Sequence, residues 1–92
     1  MSDQASHKYP HLMQVLQMAV IQKRNDQNLT QGDLAEACGL SRSCIQRLEK
    51  ADTLPTVETL LLILTTLNFS KRELLRLTIA GAKAFQKDIG KT

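Results

Sequence analysis

Between Leu34 and Lys50 the chain reads LAEACGLSRSCIQRLEK, with Gly39 set between two stretches of helical spacing. Ahead of the glycine, Leu34 and Cys38 stand four apart and share one helix face. Beyond it, a turn of about 100° per residue gathers Arg42, Ser43, Gln46, Arg47 and Lys50 into one arc of about 140°. Cys44, Ile45 and Leu48 fall on the opposing arc. One flank packs; the other donates, accepts and carries positive charge. The link Cys38-Gly39-Leu40-Ser41 is a short glycine-containing turn between two short helices, the signature of a helix-turn-helix corner. The corner needs a small residue where the helices cross, and Ala35 supplies it. It needs a positive φ, which Gly39 adopts without steric cost. It also needs a shared apolar wedge, here Leu34, Cys38, Leu40, Ile45 and Leu48.

The rest of the chain limits the alternatives. Ninety-two residues make one small domain. The longest uninterrupted apolar run, Leu60 to Leu64, is far short of the roughly 20 residues of a membrane span. No basic-then-apolar leader opens the chain, so the expectation is a soluble, cytoplasmic, nucleoid-associated protein with reduced thiols. A Cys38–Cys44 disulfide would distort two helix-embedded residues. His7 and His11 stand at i, i+4 and with the cysteines would complete four zinc ligands. Pro10 interrupts that pair, however, and Cys38 is needed in the wedge. No phosphate-cradling glycine loop occurs and the carboxylates are scattered singly. Neither enzyme chemistry nor a cofactor is expected.

Strand signals are nearly absent and helical periodicity runs almost throughout. A polar N-terminal segment, residues 1–9, is expected to be flexible. Pro10 suits the first turn of a helix over about 11–25. Thr30 caps a second helix over about 31–38, and Ser41 caps a third over about 42–50. Thr56 caps a fourth, in which Val57, Leu60, Leu61, Ile63, Leu64 and Leu67 cover more than half the circumference. So wide a stripe predicts a central helix, packed on several sides. Ser70-Lys-Arg-Glu73 reads as a capping box opening a last helix that reaches about residue 88. That helix outlasts what a compact core can cover, which leaves Ile79, Ala82, Phe85 and Ile89 to pack on something else.

Residues 29–75, LTQGDLAEACGLSRSCIQRLEKADTLPTVETLLLILTTLNFSKRELL, resemble the Cro and phage-repressor type of helix-turn-helix regulator. The resemblance rests on the Leu-Thr-Gln-x-x-Leu-Ala start and the glycine turn. It extends through Ser-x-x-x-Ile-x-x-Leu-Glu, a proline-containing loop and Thr-Leu-x-x-Ile-x-x-x-Leu. With the preceding helix it spans about residues 11–77. It implies an all-α, compact five-helix, lambda-repressor-like DNA-binding domain over residues 10–77. Residues 78–92 would be a C-terminal helical extension and dimerisation element. One position departs from the pattern: Ala51 stands where the family often has glycine. An alanine resists the left-handed conformation by on the order of 1 kcal/mol. The third helix is therefore expected either to end differently or to run on into Asp52.

The resemblance also implies a mechanism. The third helix enters the major groove of duplex DNA, where base edges present a donor and acceptor code. Arg42, Ser43, Arg47 and Gln46 take base-reading positions. Gln31 contacts the phosphate backbone and braces the start of the recognition helix, with Thr30, Ser41, Lys50, Arg24 and Lys23 as further phosphate contacts. One module reads only a few base pairs, so a homodimer on a palindromic operator is expected, with Ile79, Ala82, Phe85 and Ile89 as its interface. Charge distribution fits a polyanion partner. Residues 70–92 hold six bases against two acids, whereas residues 1–69 hold six against seven. The reading is a transcriptional regulator from a bacterium, phage or mobile element, a repressor of a promoter that includes its own. Two alternatives stay open. One is a DNA-binding antitoxin whose last helix grips a toxin. The other is an adaptor that binds an acidic protein and no DNA.

Overall fold

The computed structural model describes residues 8–90, and among them run five helices in the order expected. These are α1 (Pro10–Asp26), α2 (Gln31–Cys38), α3 (Arg42–Glu49), α4 (Val57–Thr66) and α5 (Lys71–Asp88). No strand occurs among the described residues. Most of the N-terminal segment expected to be flexible, including His7, lies outside them. None of the helices is long and apolar enough to cross a membrane.

The starts of the helices follow from local chemistry. The hydroxyls of Thr30, Ser41, Thr56 and Ser70 accept from the amides of Asp33, Cys44, Thr59 and Glu73. Thr30–Asp33 and Ser70–Glu73 complete reciprocal capping boxes. α1 is the exception. Tyr9 gives it no side-chain cap, and no acid stands in its first turn. Its free amides are satisfied from 76 and 77 residues away, by the Asp88 carboxylate at the end of α5.

Four helices end in one pattern. The amides of Asn28, Gly39, Ala51 and Asn68 each reach back three residues, and the next amide reaches back five. The pattern requires a left-handed residue, and φ is +58° at Asn28, +73° at Gly39, +58° at Ala51 and +60° at Asn68. The expectation for Ala51 is therefore corrected. α3 ends as its neighbours do, and the two bonds to the Leu48 and Arg47 carbonyls hold an alanine where glycine or asparagine would be relaxed.

Leu16, Val20, Leu34, Ala35, Cys38, Ile45, Leu48, Ile63 and Leu67 form one core cluster, which contains most of the expected wedge. Leu40 packs against it, half-buried. α5 lies antiparallel along α1. Lys23 meets Glu73 at one end, and His11 and Leu12 meet Asp88 at the other. Gly81 and Ala84 are buried on that side. α5 is unbroken through residues 77 and 78, so the boundary expected there falls inside a continuous helix.

The expectation of a central fourth helix is also corrected. Ile63, Leu64 and Leu67 point inward, but Val57, Leu61 and Leu62 are exposed, Leu61 by 55%. The apolar surface beyond them faces an open groove of about 700 Å³ between α4 and α5, lined by Leu60, Leu61, Leu64, Leu74 and Phe85 among others. The stripe is wide because no element among the described residues covers its outer half.

Candidate nucleic-acid interface

α3 owes its orientation to the glycine corner and to a polar anchor at its far end. At the corner, Gly39 has open space where a Cβ would sit, so its φ, not crowding, demands glycine. Ala35 is buried where α2 and α3 cross, and the Leu40 amide bonds the Ala35 carbonyl at 2.9 Å.

The anchor is Glu49, the one buried charged residue among those described. Its carboxylate accepts Arg24 Nε at 2.7 Å on Oε2, and Arg24 Nη2 and Gln31 Nε2 each at 2.9 Å on Oε1. Its main-chain carbonyl accepts Gln17 Nε2 at 2.7 Å. Arg24 also donates Nη1 to the Leu29 carbonyl at 2.6 Å. The hydrogen bonds and charge of Glu49 raise the Arg24 pKa above its ordinary value, against the opposing effect of burial. α1, α2 and α3 thus share a single ion pair with its remaining oxygen positions filled. Residue spacing alone did not single out Glu49. A signal was present: on the helical wheel it lies within about 40° of Ile45, on the packing side of α3.

The opposite flank of α3 is free. Arg42, Ser43, Arg47 and Lys50 are exposed and Gln46 is half-buried. Among the described residues none of Arg42, Arg47 and Lys50 forms an ion pair. Ser41 Oγ lies 3.1 Å from Ser43 Oγ while it caps the helix, which places two hydroxyls beside Arg42 at the N-terminal turn. This end of α3 therefore gathers donors, acceptors and positive charge on one exposed flank. Cys38 and Cys44 are free thiols, the first buried and the second half-buried.

Two residues expected among the phosphate contacts are used otherwise. Arg24 is held by Glu49, with its side chain only 13% exposed. Lys23 donates to both Glu73 oxygens, at 2.8 and 2.7 Å, with its ammonium 5.3 Å from the centre of the Phe69 ring. These two are corrected from surface cations to internal ties. Gln31 braces α3 at its end through Glu49, not at its start, and remains half-buried beside exposed Thr30. The four residues expected at an interface, Ile79, Ala82, Phe85 and Ile89, are all exposed on α5 or just past its end. Phe85 also lies against Tyr9, with ring centres 5.1 Å apart.

A family model described as helix-turn-helix matches residues 20–74, from the second half of α1 into the first turn of α5. No curated protein and no solved structure matches the chain. A glycine-hinged pair of helices, an exposed polar flank on the second, and a family match over more than half the sequence agree. The chain belongs to the helix-turn-helix family of DNA-binding transcriptional regulators, of the Cro and phage-repressor type.

Proposed function

We propose that the protein is a sequence-specific repressor that binds a palindromic operator as a homodimer and occludes a promoter, its own included. Arg42 and Ser43 at the start of α3, with Arg47 and Gln46 one turn on, read base edges in the major groove. Arg42 is suited to a bidentate contact with guanine O6 and N7. Gln31, Thr30, Ser41 and Lys50 fix register on the phosphates. The observation that carries this reading is the contrast in how cations are used. Lys23 and Arg24 are bonded inward, whereas Arg42, Arg47 and Lys50 on α3 have no ion-pair partner among the described residues.

A homodimer on one face of the DNA needs its recognition helices about 34 Å apart, one turn of the duplex, and Ile79, Ala82, Phe85 and Ile89 are the residues that would join the copies. The same exposed apolar residues favour the second reading, an antitoxin whose last helix binds a toxin. Selection of bound sites from a random duplex pool tests the first reading. A two-fold symmetric site with half-sites about one helical turn apart supports it. A pool with no enrichment overturns it.

A further inference from the structure

We infer that the outward side of α5 is a docking surface for an amphipathic helix with an acidic flank, carried by another protein. About 100° per residue divides α5 into three stripes. Leu77, Gly81, Ala84 and Asp88 fall together on the side turned to α1, where Gly81 and Ala84 are buried. Leu75, Ile79, Ala82 and, just past the helix, Ile89 form an exposed apolar ridge, with Leu75 61% and Ile79 48% exposed. Arg72, Arg76, Lys83 and Lys87 fall within an arc of about 60° along one border of the ridge, over a length of about 22 Å. All four are exposed, and among the described residues none forms an ion pair.

Charge selects the occupant. A second copy, the occupant under the dimer reading, covers the ridge but leaves the four cations of α5 without counter-charge from the partner's own α5. The two acids of α5 offer no counter-charge, because Glu73 is bonded to Lys23 and Ser70, and Asp88 to His11 and Leu12. Asp26, the acid on α1, shares with Arg76 a groove that Glu73, Leu77 and Ala80 also line, on the side of the cations away from the ridge. DNA would match the cations and leave the ridge uncovered. A planar bilayer would not fill the concave groove into which the apolar surface continues beside Leu61 and Leu74. A helix with leucines along one side and glutamates beside them meets the ridge and the cations together. A partner seated on Ile79, Ala82 and Ile89 would also displace a second copy. That consequence rests on the dimer reading; the docking itself does not.

The test titrates the full chain into two labelled synthetic 18-residue helices with the same leucine ridge, one flanked by glutamate and one by glutamine. The glutamate peptide should bind about tenfold tighter in dilute salt, the sum of a few exposed charge pairs. The gap should close as salt rises. The R76Q/K83Q variant, verified as folded by its circular dichroism melt, should lose the preference and keep its binding to duplex DNA. Equal affinity for the two peptides overturns the inference. So does a loss of duplex DNA binding in R76Q/K83Q, or binding of the wild-type chain to phosphatidylglycerol vesicles that the variant lacks.

Discussion

Asp88 supplies the N-terminal cap of a helix that begins with Pro10. Its Oδ1 accepts the His11 amide and its Oδ2 the Leu12 amide, each at 2.9 Å, and the His11 ring nitrogen Nδ1 lies 2.7 Å from Oδ1. Burial alone would raise the Asp88 carboxyl, but these bonds outweigh it and hold the pKa below the ordinary value of 3.8. A carboxylate depressed in the folded state adds stability that is fully present above the unfolded value. That stability is lost as pH falls through the folded value. Acid melts should therefore show this contribution vanishing below about pH 4. Asp88→Asn should lower the melting temperature by a few degrees near neutrality and flatten that part of the acid limb. An unchanged limb in the variant would show that the cap does not contribute.

Glu49 and Arg24 should behave as a unit. Their side chains are 5% and 13% exposed, so removing one leaves the other buried without its partner. Glu49→Ala should cost about 3–5 kcal/mol in urea unfolding, enough to threaten the fold. Replacing both, with Arg24→Met and Glu49→Leu, should recover most of that loss. Additive costs in the double-mutant cycle would contradict a shared ion pair.

Ala51→Gly should stabilise the protein. The left-handed turn after α3 strains an alanine by about 1–2 kcal/mol, while glycine adds freedom to the unfolded chain worth about 0.4–1 kcal/mol. The net gain should be about 0.5–1 kcal/mol, a rise of a few degrees in melting temperature. A fall would mean that the Ala51 methyl contributes more through packing than it costs in strain.

Gly81→Ala should also stabilise. A Cβ built on Gly81 meets Leu12 Cδ1 at 3.5 Å, an ordinary contact, and glycine in a helix interior costs about 1 kcal/mol relative to alanine. A melting temperature below the wild-type value would show that α1 and α5 approach too closely for a methyl group.

On the DNA side, Arg42→Ala and Arg47→Ala should each cost about 1–3 kcal/mol on the selected operator, and neither should change the melting temperature. Lys50→Ala should weaken all duplexes about equally and reduce the salt slope by about one. Loss of affinity without loss of selectivity in Arg42→Ala would reassign that residue to the phosphates.

The helices of this fold were legible because each announces itself locally. Thr30, Ser41, Thr56 and Ser70 are capping residues at the right offsets, and the Leu34 to Leu48 wedge follows from helical spacing alone. What spacing missed depends on partners distant in the chain. Arg24 reads as a surface cation until Glu49, 25 residues on, is seen beneath it. Asp88 reads as one more exposed acid until α5 is laid along α1. α4 misled for another reason. A sequence states how much apolar surface a helix carries, not whether the same chain supplies its cover. The polar flank of α3 was legible because, among the described residues, Arg42, Arg47 and Lys50 are tied to no acid elsewhere in the chain.

The bonds from Asp88 to His11 and Leu12 make neighbours of the first and last helices, so the start of α1 and the end of α5 lie side by side. A short peptide bridging them would close the molecule into a ring without disturbing any helix. Reopening that ring between α3 and α4, near Thr53, should give a circularly permuted protein that still presents Arg42 and Arg47 to solvent.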